Sequence, residues 1–281
     1  MGCMSDLRLA FFGDIVGSPG RRAVAHAVAR LKVERAVGLF IANAENSRNG
    51  SGLSQDNYRE LLRSGLHAMT LGDHCFKDRQ IIPVLEHPDE PIARPANLAE
   101  AAPGKGFTLI RPSIASCPPI AIVTVLGRIF MPIPTDNPFI AVDREIANIA
   151  SLAPDALVIV EIHGETTSEK QAMAYYALER HSTGPGPRII AVLGSHTHVQ
   201  TSDARIIDHR LAALTDLGMC GPHRSVIGRD VQATLNAMVH QNPSPLDVAS
   251  DDNRACGAII TIDVEGRRAS EIEAMVIRVP E

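Results

Sequence analysis

Short apolar runs alternate with segments of helical periodicity through most of the chain. "LRLAFFG" (7–13), "VGLFIAN" (37–43), "LHAMTLG" (66–72), "PIAIVTVLG" (119–127), "ALVIVEIH" (156–163) and "RIIAVLG" (188–194) are nearly unbroken apolar stretches. That pattern belongs to strands covered on both faces, whereas half-exposed strands alternate polar and apolar positions. Between them the spacing predicts helices over 18–34, 54–65, 142–151 and 168–181, with a shorter one around 78–85. Ser18 is placed to cap the first helix with Pro19 in its first turn, and Gly65 closes the second. Proline and glycine dominate 88–119 and predict an ordered loop region. The tail predicts strands at "RLAALTDLG", "CGAIITIDVEG" and "SEIEAMVIRV" around a helix at 230–240. The expectation is an α/β fold with late antiparallel strands, in a single domain over 1–281.

The residues just past each apolar run carry the chemistry. Asp14 comes after the first, Glu45 and Asn46 after the second, and Asp73 and His74 after the third. His163 ends the 156–163 run, and His196 and His198 come after the run that closes at Gly194. Taken singly, each has a plain structural explanation: Asp14 as a turn or cap residue, Glu45-Asn46 as a solvated turn, His163 as a satisfied core histidine. His196 and His198, read as an extended segment, point to one side. Taken together, five strand ends deliver metal-capable side chains to the carboxyl edge, where ligands gather in α/β sheets. Carboxylate, amide and imidazole without thiolate suit Fe, Mn, Zn or Co. Seven ligands exceed one tetrahedral site and suit two ions bridged by a carboxylate, an arrangement used for displacement at phosphorus.

Composition narrows the function classes. The 281 residues are 45% apolar and 21% charged with a net charge of −5, so no basic field predicts duplex nucleic-acid binding. Five scattered cysteines (Cys3, Cys75, Cys117, Cys220, Cys256) form no C-x-x-C pair and predict a reducing, cytoplasmic compartment. No signal-peptide pattern or membrane-length apolar run is present. Gly2 would suit myristoylation, but Asp6 stands where that motif wants Ser or Thr. Neither a P-loop spacing nor a G-x-S-x-G elbow competes with the metal reading.

Five blocks, "FFGDIVGSPGR", "IANAENSRNGSGL", "LGDHCF", "EIHGETTSEK" and "LGSHTHVQT", resemble the signature blocks of the calcineurin-like metallophosphoesterases. More narrowly, they resemble the YmdB-like family of bacterial 2′,3′-cyclic-nucleotide phosphodiesterases, with "RPANL", "PGKGF", "LGRIFM" and "TDLGMCGPHRSVIG" matching as well, across about 7–264. The resemblance implies a four-layer αββα sandwich of two mixed β-sheets flanked by helices. It implies two metal ions, Fe (Fe²⁺/Fe³⁺) or alternatively Mn²⁺ or Zn²⁺. Asp14, Asn46 and His198 would serve one ion, Asp73, His163 and His196 the other, and Glu45 both. The implied reaction is hydrolysis of a small phosphodiester or cyclic nucleotide by a hydroxide between the metals, with His74 protonating the leaving oxygen. Homo-oligomerisation stays open.

One position departs from the family. Asp73 in "GDH" stands where the family usually has asparagine. Two divalent ions, a hydroxide and the carboxylates of Asp14, Glu45 and Asp73 sum to no net charge, where asparagine would leave one positive charge. A neutral centre binds anionic phosphate more weakly and acidifies water less, unless one ion is Fe³⁺. The alternatives are a broader metallophosphatase, or a weakly active metal-binding regulatory protein linked to RNA metabolism. Arg94, Lys105 and Arg128 are candidate phosphate contacts, Asn97 a pocket or turn residue, and Cys75 a reactive thiol or a packed small hydrophobe. Backbone N–H groups after Gly17-Ser18-Pro19 could add positive potential at the site.

Overall fold

The computed structural model describes residues 6–114, 117–242 and 245–280; Gly2 and Cys3 lie outside them. The elements run β1 (Leu7–Phe12), β2 (Asp14–Ile15), α1 (Gly17–Glu34), β3 (Leu39–Asn43), α2 (Gln55–Arg63) and β4 (Ala68–Thr70). A 3₁₀ turn at Arg79–Ile81 leads into α3 (Ile82–Glu86), β5 (Ile92–Ala93), β6 (Phe107–Ile110), β7 (Ile120–Leu126), α4 (Pro138–Leu152) and β8 (Leu157–His163). Then come α5 (Thr167–His181), β9 (Arg188–Ser195), β10 (Arg205–Ile207), β11 (Leu211–Leu214), β12 (Met219–Pro222), α6 (Val231–His240), β13 (Asn253–Asp263) and β14 (Arg268–Arg278).

Two mixed sheets result. One has the order β2-β12-β13-β1-β3-β4-β5 with β14 also paired to β13; the other has the order β10-β11-β9-β8-β7-β6. Strand alternation sorts the apolar residues into three layers of core. Leu9, Phe11, Leu39 and Ile41 face Ile122, Leu157, Ile159 and Leu193 between the sheets. Their neighbours Ala10, Phe12 and Phe40 turn the other way, onto α1, α2 and α3. Val123, Val158, Val160 and Val192 turn outward onto α4 and α5. The result is the expected four-layer αββα sandwich. Burying a residue such as Phe11, with no exposed surface, contributes about 1.5–3 kcal/mol.

The inter-sheet layer changes character at the carboxyl ends of its strands. The positions that continue Leu39-Ile41, Ile120-Ile122, Leu157-Ile159 and Leu193 on the same face are Asn43, Thr124, Glu161 with His163, and Ser195, all fully buried. Apolar packing thus stops where a buried polar floor begins.

Several boundaries depart from the sequence expectation. Residues 88–119 hold β5 and β6, short strands at sheet edges that periodicity cannot register. Asp14 lies in β2, which pairs with Met219 and Cys220 of β12. Ser18 does not cap α1: the helix starts a residue earlier, after Val16, and the Ser18 hydroxyl accepts from Arg22. Gly17, at φ +60°, takes the left-handed turn that begins the helix. Among the described residues no helix is long and apolar enough to cross a membrane.

Candidate metal centre

All seven expected ligand residues and His74 converge at one place, the carboxyl ends of β3, β4, β8 and β9 beside β2. His163 is central. Its Nε2 lies 3.0 Å from Asp73 Oδ1, 3.2 Å from Glu45 Oε1 and 3.1 Å from His196 Nδ1. Its Nδ1 lies 3.8 Å from Asp14 Oδ1. On the other side His198 Nε2 stands 3.9 Å from Asp14 Oδ1 and 3.2 Å from Asn46 Nδ2. Glu45 Oε1 is also within 3.3 Å of Asn46 Nδ2, so it sits between the two halves. Three overlapping triads have ligand atoms close enough to share an ion: Asp73-His163-His196, Asp14-Glu45-His163 and Glu45-Asp73-His74.

The local backbone is shaped for this convergence. A Cβ at Gly72 would come within 2.4 Å of Glu45 Oε2 and His163 Nε2, so only glycine lets β4 end against these side chains. His196 and His198 are not an extended pair. Both have positive φ, 98° and 66°, in a bend after β9, a conformation costly for residues with a Cβ. The bend splits them: His196 turns to Asp73 and His163, and His198 turns to Asp14 and Asn46. Asp216 holds the bend, its Oδ2 accepting from Thr197 Oγ1 at 2.8 Å and from the buried Lys170 Nζ at 2.7 Å.

Electrostatics mark the cluster as built for positive charge. Burial raises the Asp14 carboxyl above its ordinary range, with His163 and His198 pulling it back. Burial also opposes charge on Glu45 and His163, but their mutual attraction wins: Glu45 falls below the usual carboxylate value and His163 rises well above the usual imidazole value. Asp73, partly buried, is held below its usual value by hydrogen bonds from His163 and His196. Asp14 Oδ1 is buried with no hydrogen-bond partner, as a ligand oxygen is before its cation is counted. The donor set of carboxylate and imidazole fits Fe, Mn or Zn. Asn46 fits with one adjustment. Its Nδ2 faces Glu45 and His198 while its Oδ1 meets His74 Nδ1 at 2.7 Å, so ligation through oxygen needs the amide to turn over.

His74 lines a cleft of about 320 Å³ above the cluster, with Glu165, Ile227 and Arg229 on other walls. Its backbone N–H donates to Glu45 Oε2 at 2.9 Å, and its Nε2 is 3.7 Å from Asp73 Oδ2. Sequence reasoning missed two wall residues that orient the histidines: Glu165 Oε2 lies 3.3 Å from His196 Nε2, and the Ile227 carbonyl is 2.9 Å from His198 Nδ1. The Glu165 carboxylate in "HGE" was a legible signal; a carbonyl is not.

The other candidates lie elsewhere. Arg94 is buried and donates to the carbonyls of Pro95 and Ala102, and Lys105 binds the Pro88 carbonyl. Arg128 uses its backbone N–H on Glu169 and is absent from the cleft lining. Asn97 ties the turn at Leu126 and Asp136. The Gly17 amide is spent on the Asn46 carbonyl at 2.9 Å. Cys75 is packed in the core, its thiol pushed up to about 12 by burial.

Similarity to known proteins agrees with this geometry. The chain is 36% identical over 272 residues to a 2′,3′-cyclic-nucleotide 2′-phosphodiesterase of Bacillus subtilis (strain 168), covering 96% of this chain and 97% of that one. A crystal structure of a protein from Thermus thermophilus matches with a TM-score of 0.86 at 35% identity, covering 98% of this chain and 100% of that one. A phosphatase from Mycoplasma pneumoniae matches with a TM-score of 0.85 at 29% identity, covering 98% and 95%. The family model described as YmdB-like protein matches residues 10–275, nearly the whole chain, and the chain belongs to that family.

Proposed function

We propose that this chain is a metal-dependent phosphoric diester hydrolase that opens 2′,3′-cyclic nucleotides or related phosphodiesters, with two metal ions. The observation that carries the reading is the pair of ligand halves, joined by Glu45 and His163, around the buried, unpartnered Asp14 Oδ1. The similarity to the Bacillus subtilis phosphodiesterase supports the substrate class.

Asp73, His163 and His196 would hold one ion, Asp14, Asn46 and His198 the other, and Glu45 both. Bound cations supply the Lewis acidity and positive charge that an anionic phosphodiester requires. The protein's own part is orientation and proton transfer. Glu45 fixes the main chain at His74 through its Oε2, which keeps the His74 ring at the cleft wall. An imidazole there can give a proton to the departing ribose oxygen. Iron is the preferred metal, with Mn²⁺ or Zn²⁺ as alternatives. The four described cysteines are free, which supports a cytoplasmic setting.

A second reading, a phosphatase acting on monoesters, draws on the Mycoplasma pneumoniae structure. Turnover of 2′,3′-cyclic AMP and of p-nitrophenyl phosphate at equal metal loading separates them. Preference for the cyclic diester supports the proposal, and preference for the monoester overturns it.

A further inference from the structure

Beneath His163 lies a set of buried polar groups that the reaction itself does not call on. Glu161 and His163 alternate onto the same face of β8, facing the other sheet, because Leu157 and Ile159 already do. Ser195, at the end of β9, is the register partner of His163. Its hydroxyl lies 2.9 Å from His163 Nδ1 and 2.6 Å from Glu161 Oε1. Asn43, reaching across from β3, donates its Nδ2 to the same Glu161 oxygen at 2.9 Å and accepts the Glu45 backbone N–H on its Oδ1 at 3.0 Å. Glu161 and Ser195 have no exposed surface. A carboxylate in the middle of an apolar strand is costly to bury, so it needs a purpose.

Direction follows from the donors present. Glu161 Oε1 already accepts the Asn43 amide N–H, so the Ser195 hydroxyl also donates to it and offers His163 a lone pair. That lone pair, at 2.9 Å, is nearer to His163 Nδ1 than Asn43 Nδ2, which stands 3.4 Å away and donates to Glu161. Neutral His163 therefore carries its proton on Nδ1 and leaves Nε2 bare on the side of Asp73 and Glu45. We propose that Glu161 and Ser195 form a hydrogen-bond relay that locks the tautomer of His163 with Nε2 bare toward the metal centre. Neither residue touches substrate; both are positioning residues. The relay crosses from one sheet to the other through Asn43, so it also couples the placement of His163 to that of Glu45. This inference rests on the metal reading proposed above.

The test uses the full chain loaded with Zn²⁺ alone. Zn²⁺ affinity is read by chelator competition, and the His163 Nδ1–H is followed by nuclear magnetic resonance in ¹⁵N-histidine protein. Ser195→Ala and Glu161→Leu remove the relay, while Glu161→Gln keeps an acceptor oxygen for the Ser195 hydroxyl. The relay predicts a loss of about 10–100-fold in Zn²⁺ affinity for the first two variants. It also predicts a protected Nδ1–H resonance in the parent and Glu161→Gln that is lost in Ser195→Ala. Melting curves of the metal-free proteins show which variants fold, and Ser195→Ala, the smallest change, decides the matter if Glu161→Leu does not. Parent-like Zn²⁺ affinity and an unchanged Nδ1–H in Ser195→Ala overturn the relay and leave the metal centre standing. A parent chain that binds no Zn²⁺ overturns both.

Discussion

The Nε2 atom of His163 stands 3.0 Å from Oδ1 of Asp73, bringing together residues 90 apart in the chain. Among the proposed ligands, Asp73 stands where the family resemblance implies asparagine, so it adds a carboxylate to the proposed centre. Its carboxyl is held below the usual range by His163 and His196 despite partial burial, so it enters the centre ionised. Asp73→Asn removes that negative charge while leaving an oxygen ligand. The expected outcome is retained metal and an apparent pKa of the pH–rate profile shifted down, since a more positive centre ionises its water more readily. Metal content and pH–rate profiles of parent and variant check this; identical profiles with identical metal contradict it.

His74 borders the cleft and contacts Asn46 through its ring and Glu45 through its backbone. If its ring gives the proton to the leaving oxygen, His74→Ala lowers turnover by about 10²–10⁴-fold. Metal content stays at the parent level because His74 is not among the seven proposed ligands. Substrates with a p-nitrophenolate leaving group, which needs little protonation, lose less than cyclic nucleotides. Equal losses on both substrates count against the acid role.

Acid stability of the loop behind the two loop histidines depends on Asp203. Its carboxylate accepts from Thr201 Oγ1 at 2.7 Å and from the Thr215 backbone N–H at 3.1 Å. Against partial burial, hydrogen bonds from Thr215, Thr201 and Arg205 hold its pKa down to about 2. A depressed folded-state pKa contributes stability that is fully present above the unfolded value of about 3.9 and is lost as pH falls toward about 2. Asp203→Asn is therefore less stable than the parent above about pH 4, and the difference shrinks as pH falls toward the folded-state pKa of about 2. Urea unfolding midpoints across that window test it; a constant difference contradicts the assignment.

The strands were legible because a both-sided buried strand writes itself as an unbroken apolar run: β1, β3, β7 and β8 lie within such runs, and β9 overruns its own by one residue, Ser195. The positions of Asp14, Glu45, Asp73, His163, His196 and His198 at strand ends came from the same signal. What the pattern could not carry is geometry set by distant chain segments. The bend that separates His196 from His198 depends on Asp216 and Lys170, whose pairing no periodicity encodes. Strands β2 and β5, two residues each, are defined only by their neighbours. Ser18 has the sequence setting of a cap, yet packing against Asn46 and β12 starts α1 before it. The buried pair Glu161 and Ser195 had a trace in "VIVEIH", a charge inside an apolar run, but its partner came from another strand.

The central claim is that two cations sit among these strand ends and enable phosphodiester hydrolysis. Metal analysis of anaerobically purified chain, with a 2′,3′-cyclic AMP assay on the same sample before and after chelation, tests it most directly. The account predicts about two metal ions per chain, turnover that disappears with chelation, and recovery on metal return. Turnover that survives complete metal removal would contradict it.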